Sequence, residues 1–225
     1  MNTFNLLTIG DCNTFPDHLV QPEEQLPVRV QRGLEKHLET TVALTNIGQG
    51  MYTVREGLAR LKNTPVISDF VIINFGLVDA WVTTIPRLYI SYYPLTLTRK
   101  YLLKILKIIK KRLRYIPKMP RGNVVPQDEY RQKIVEMIKL CRRRNEGVKI
   151  LLWATPFVQN HDARNKSIMQ YNRVLKEIAE RYDCLFCNSP DIVRAGNTQN
   201  YLDNVHLSGV ATKALGTEIT NLFNQ

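Results

Sequence analysis

No stretch of this chain reaches the roughly 18 uninterrupted apolar residues that a membrane-crossing helix needs, so no segment reads as a membrane span. Cysteine is equally sparse. Four cysteines in 225 residues fall far below the density of a secreted disulfide scaffold, and reduced thiols are expected. Cys184 and Cys187 share CxxC spacing, but no second ligand pair accompanies them for zinc and no helix opens after them as in a redox motif. They read as small residues of a short buried strand. No metal and no organic cofactor is expected. The first residues, Met1 to Leu7, carry no basic flank, and Asp11 arrives too early for the apolar region of a signal peptide. The expectation is a cytosolic protein, with contact to the inner membrane face left open by the basic segment described next.

Acidic residues are missing from one long interval. Between Asp79 and Asp128 there is none, while eleven Lys and Arg lie there, from Arg87 to Arg121, which equals the whole formal excess of +11. The remainder of the chain is neutral, which argues against a protein that coats nucleic acid. Inside this interval Leu102, Leu106, Ile109, Leu113 and Ile116 follow helical spacing, and Lys104, Lys107, Lys111 and Arg114 follow it on another face. Prolines bound the segment, so a basic amphipathic helical insertion is expected at about 94–121 within a single domain spanning 1–225. Its basic face is either merely solvated or a lid or docking surface for something anionic: a membrane surface, an acidic glycan or an acidic carrier protein.

Elsewhere, short apolar runs at Phe4 to Ile9, Thr41 to Thr45, Phe70 to Phe75, Lys149 to Ala154 and Cys184 to Cys187 alternate with segments of helical periodicity. Those helical segments are Val28 to Leu38, Val54 to Leu61, Glu129 to Arg144, Asn165 to Tyr182 and Ser208 to Phe223. Alternation of this kind predicts an α/β fold: about five parallel strands in flavodoxin-like order, covered on both faces to give three α/β/α layers. Reactive groups then belong outside the carboxyl ends of the strands.

Two places there carry chemistry. Gly10-Asp11-Cys12 sets a nucleophile-type side chain just past the first strand, and Asp203-Asn204-Val205-His206 sets a carboxylate and an imidazole three residues apart in one loop before the last helix. An imidazole base needs an orienting partner on its second nitrogen, which Asp203 can be while His206 faces Cys12. His161, in a polar loop between Asn160 and Asp162, either lines the cleft or is simply exposed. Asp11 is expected to cap the turn after the first strand, Asn46 to fix a second loop through its backbone, and Asp79 to hold loops together around the site.

With these residues in place the chain resembles the SGNH (GDSL) hydrolases. The family's four blocks have counterparts in Gly10-Asp11-Cys12, Asn46-Ile47-Gly48-Gln49-Gly50, Gly76-Leu77-Val78-Asp79 and Asp203 to His206. The third block and the basic insertion resemble a bacterial subgroup associated with surface-polysaccharide gene sets. The resemblance implies an esterase that forms an acyl-enzyme, with Cys12, Asp203 and His206 as triad, the backbone amides of Cys12 and Gly50 or its neighbour as oxyanion hole, and Asp11, Asn46, Gly48, Gly76 and Asp79 in support. It also implies a short O-acyl group on a bacterial glycan as substrate. Cys12 stands where the family has serine, and Val78 where it has an oxyanion-hole asparagine. The thiol is expected to be activated by His206 and by amides at a following helix start. A thiol nucleophile beside a basic helix also fits an acyltransferase or thioesterase acting on an acidic carrier, and loss of both family residues fits a weakened glycan- or membrane-binding protein.

Overall fold

Alternation of burial along each strand assembles the sheet. In the strand β1 (Phe4–Gly10), Leu6 enters one core while Leu7 and Ile9 enter the other, as the two-residue side-chain period of a strand requires. The computed structural model describes residues 3–15, 20–84, 96–113, 121–194 and 196–225. After β1 come α1 (Leu26–Leu38), β2 (Val42–Asn46), α2 (Val54–Lys62) and β3 (Phe70–Asn74). A two-stranded excursion follows: β4 (Val82–Thr84), α3 (Leu97–Leu113) and β5 (Arg121–Asn123). The chain then runs through α4 (Gln127–Arg144), β6 (Lys149–Trp153), α5 (Asp162–Arg181), β7 (Leu185–Cys187), α6 (Ser189–Ile192) and α7 (Gly209–Phe223).

Five strands pair in parallel in the order β2-β1-β3-β6-β7, the expected flavodoxin-like arrangement. Helices α2, α4 and α5 cover the core of Leu7, Ile9, Val71, Ile73, Ile150 and Leu152. Helices α1 and α7 cover the opposite face, built on Leu6, Val42, Ile72, Leu151 and Trp153.

Local chemistry fixes where the helices begin. Thr53 caps α2 in a reciprocal box with Glu56, whose carboxylate accepts the Thr53 N–H at 2.9 Å. Pro27 sits in the first turn of α1, where its missing N–H costs nothing, so the helix starts two residues before Val28. His161 caps α5, its Nδ1 accepting the Arg164 N–H at 3.3 Å. That exposed ring is therefore a helix cap.

The basic segment emerges between β4 and β5, which pair antiparallel and tie its base to the third block: Val125 donates N–H to the Asp79 carbonyl at 3.2 Å, and Asn123 donates its side-chain amide to the Ala80 carbonyl at 2.9 Å. The expected insertion at 94–121 thus lies inside a wider excursion bounded by three-residue strands. Arg114 and the flanking prolines Pro94, Pro117 and Pro120 lie outside the described residues. Among the described residues no helix is long and apolar enough to cross a membrane.

Candidate active site

The turn that follows β1 carries Cys12. Asp11 closes it, its carbonyl accepting the N–H groups of Thr14 and Phe15 at 3.2 and 3.1 Å. The Asp11 side chain is fully buried and reaches two partners, accepting the N–H of Asn13 at 3.3 Å and of Leu77 at 3.2 Å. It therefore caps its own turn and binds the third block to the first. Burial drives its carboxyl up to about 7, against the pull of those two amides and of Arg164.

The second block is held by Asn46, which donates to the Thr14 carbonyl at 2.7 Å and accepts the Gly48 N–H at 2.9 Å. Gly48 has to be glycine: a Cβ there would lie 2.3 Å from Thr14 Oγ1. The loop next brings the Met51 N–H to 3.3 Å from the Sγ of Cys12. Met51 does this from a left-handed backbone, φ 63°. The amide that approaches the Cys12 sulfur is thus one residue beyond Gly50.

In the third block Gly76 takes φ 136°, open only to glycine. Its N–H meets the Asp79 carboxylate at 3.1 Å, and the other oxygen of Asp79 accepts the Val54 N–H at 3.0 Å. Asp79 therefore ties the third block to the start of α2. Its burial pushes the carboxyl well above the usual carboxylate range. Val78 is buried and has no polar side-chain atom to offer the site.

In the last block the Asp203 carboxylate accepts the N–H groups of Val205 and His206 at 2.6 and 2.7 Å through one oxygen and meets His206 Nδ1 at 2.6 Å through the other. These bonds hold Asp203 below its ordinary value despite partial burial. The loop is clamped further by Leu202 N–H to the His206 carbonyl at 2.9 Å and by Gln159 N–H to the Asn204 carbonyl at 2.8 Å. Nδ1 of His206 is engaged by the carboxylate, and the two ring nitrogens are distinct in what they can do. Cys12 and His206 line one cavity of about 30 Å³ with Asn13, Leu26, Leu207 and Thr212, between the first turn, the start of α1 and the start of α7. Asp203, His206 and Cys12 are thus brought to one edge of the sheet from opposite ends of the chain.

One expectation fails. Cys12 sits in a turn, not at a helix start, and its thiol is pushed up to about 12, first by burial and then by the Asp11 charge. The Met51 amide and the Arg164 guanidinium pull it down but do not prevail.

Arg164, on α5, escaped the sequence reading. Its Nη2 donates to the Leu77 carbonyl at 3.2 Å, its guanidinium lies 5.0 Å from the Trp81 ring centroid, and its charge acts on both Asp11 and Cys12. Its Nε is buried with no hydrogen-bond partner among the described residues. The 87 positions between Arg164 and Leu77 leave no local pattern that could have revealed the contact. Lys104, Lys107 and Lys111 lie on α3, exposed, and none of them lines the Cys12 cavity. Among the described residues no cluster of His, Cys, Asp and Glu could hold a metal ion. All four cysteines are free, with Cys187 buried in β7 and Cys184 just before it.

Residues 8–213 match the model of the GDSL-like lipase/acylhydrolase family. No curated protein sequence matches the chain. Among solved structures, TesA aligns over 97% of both chains with TM-score 0.66 and 15% identity. A lipase/acylhydrolase from Enterococcus faecalis aligns over 97% of this chain and 94% of its own, with TM-score 0.65 and 20% identity. A variant of an acetyl-xylooligosaccharide esterase from Geobacillus Stearmophilus aligns over 99% and 94%, with TM-score 0.65 and 22% identity. At such identities these likenesses concern the fold.

Proposed function

Because the chain belongs to the GDSL-like lipase/acylhydrolase family, we propose that it hydrolyses a carboxylic ester through an acyl-enzyme on Cys12, with His206 carrying the proton and Asp203 orienting it. Ester hydrolysis is the chemistry of that family. The observation that carries the assignment is the pairing of His206 Nδ1 with Asp203 at 2.6 Å while His206 and Cys12 line one cavity.

The thiol rests neutral, since burial holds it near 12, so a base must act as it attacks. Nε2 of His206 takes the proton while Sγ bonds to the ester carbonyl carbon and the carbonyl electron pair moves onto oxygen. The imidazolium returns that proton to the departing alcohol as the C–O bond breaks, leaving a thioester on Cys12. Water then attacks the thioester with His206 as base, the C–S bond breaks, Sγ regains its proton and the carboxylic acid leaves.

The oxyanion is held by backbone N–H groups of Cys12 and of the Gly50–Met51 step, the latter already aimed at Sγ. A side-chain donor at Val78 is missing, and one such donor is worth about 2.7–4 kcal/mol at comparable sites. Arg164, charged, half-buried and with an Nε–H that has no partner among the described residues, takes over that electrostatic role. The cavity beside Cys12 is small, about 30 Å³, which favours a short acyl group such as acetyl over a long chain. The similarity in fold to an acetyl-xylooligosaccharide esterase supports an O-acetylated glycan as the alcohol side.

Steady-state hydrolysis of p-nitrophenyl acetate and p-nitrophenyl octanoate, alongside acetate release from O-acetylated oligosaccharides, tests this reading. The acetyl ester is expected to be preferred, and Cys12→Ala and His206→Ala each to abolish turnover. Activity retained by either variant removes the assigned pair.

A further inference from the structure

Much of the apolar surface of α3 is left exposed, although Leu103 and Leu106 are half-buried. At about 100° per residue, Leu97, Tyr101, Leu102, Ile105, Ile108 and Ile109 share one arc of about 140°, and these six side chains are 40–75% exposed. The half-buried positions Arg99, Leu103 and Leu106 lie on a different side of the helix. A surface helix ordinarily buries its apolar stripe, since that burial is what stabilises it. Here the stripe faces outward. Lys100, Lys104, Lys107 and Lys111, all exposed, occupy about 60° along one edge of it.

We propose that α3 lies in the plane of an anionic lipid surface, its apolar arc in the acyl boundary and its lysine edge among the phosphate headgroups. The 17-residue helix carries seven basic residues and no acidic one, a pattern suited to lying on a bilayer and not to crossing one. Lysine stems reach from the edge of an apolar face to headgroup level, and Arg112, which falls within the arc, is long enough to do the same. Each basic residue near an anionic leaflet adds attraction. Two other occupants fit less well. A second copy of α3 packed antiparallel on the arc would bring two lysine edges together and one packed parallel would leave both edges without an anionic partner, and a nucleic acid would engage the lysines while leaving six apolar side chains in water. The base of the excursion is bonded to Asp79 and Ala80, and Leu77 of the same block bonds to Asp11. A surface held by α3 is therefore tethered to the loops that carry the nucleophile's turn.

The test is sedimentation of the purified protein with phosphatidylcholine vesicles and with vesicles containing about one third phosphatidylglycerol, at low and high salt. Binding is expected to the anionic vesicles, at least about tenfold weaker to neutral vesicles and in high salt. Two triple variants, Lys104→Glu with Lys107→Glu and Lys111→Glu, and Leu102→Ser with Ile105→Ser and Ile109→Ser, should each lose binding by about tenfold or more, with circular dichroism and thermal unfolding confirming that both remain folded. Equal binding to neutral vesicles, or unchanged binding by either variant, overturns the proposal. So does failure to bind vesicles combined with self-association that the serine variant abolishes, which would make a second copy the occupant.

Discussion

Met51 donates its backbone N–H to the Sγ of Cys12 across 3.3 Å, and it does so from a left-handed backbone, φ 63°, that side chains with a Cβ rarely adopt. The second block thus holds a donor beside this sulfur at a local conformational cost.

Glycine at this position relieves the cost and keeps the N–H, whereas proline removes the N–H and demands φ near −65°. Met51→Gly should acylate within a few-fold of the parent, and Met51→Pro should acylate about 100-fold more slowly. Single-turnover acylation by a p-nitrophenyl ester measures both. Parent-like rates for the proline variant would show that this amide is not an oxyanion donor.

In the proposed mechanism Arg164 answers for the side-chain donor that Val78 lacks. Arg164→Gln should lower kcat/KM by about 100-fold, and Arg164→Lys, which keeps the charge, should recover part of it. Because the guanidinium pulls the Cys12 thiol down, the glutamine variant should also shift Cys12 alkylation to still higher pH. A drop in activity without that shift would mean Arg164 acts only by packing against Trp81.

The thiol itself gives a sign that is simple to read. With Cys12 held near 12, little thiolate exists at neutral pH, so iodoacetamide should label it slowly at pH 7 and progressively faster through pH 10. Fast labelling at pH 7 would contradict a nucleophile that depends on His206 for deprotonation.

Asp11 should leave its mark on stability. Its folded-state value of about 7 lies above the unfolded value of 3.8, so between about pH 4 and 7 the folded chain keeps a proton that the unfolded chain has lost. Its contribution is full below pH 4 and declines as pH rises, by on the order of 1.4 kcal/mol per unit across that window. Asp11→Asn removes this slope. Urea unfolding at pH 5 and pH 7 should show the parent losing stability relative to the variant; a gap that stays constant with pH would place the Asp11 carboxyl near its ordinary value.

The sequence revealed most where the signal is local. The apolar runs of β1, β3 and β6 are buried on both faces and read directly as strands, and their alternation with helices led to the observed strand order. The Asp203–His206 pair was visible because three residues separate its members. Contacts made by the tertiary fold were hidden. Arg164 reaches Leu77 across 87 positions, and β4 and β5, at three residues each, are too short for any period to show. Helical spacing gave the amphipathic character of α3 but not its orientation, which depends on what lies beside it. The elevated thiol at Cys12 was missed for a related reason: spacing says nothing about burial, and burial here outweighs every donor near the sulfur.

Intact-protein mass spectrometry after mixing with p-nitrophenyl acetate tests the central claim most directly, comparing the parent with Cys12→Ser, Cys12→Ala and His206→Ala. The account predicts one acetyl adduct that forms and decays on the parent or on Cys12→Ser, and none on Cys12→Ala or His206→Ala. An adduct that persists on Cys12→Ala, or its absence from both the parent and Cys12→Ser, would contradict an acyl-enzyme at this position.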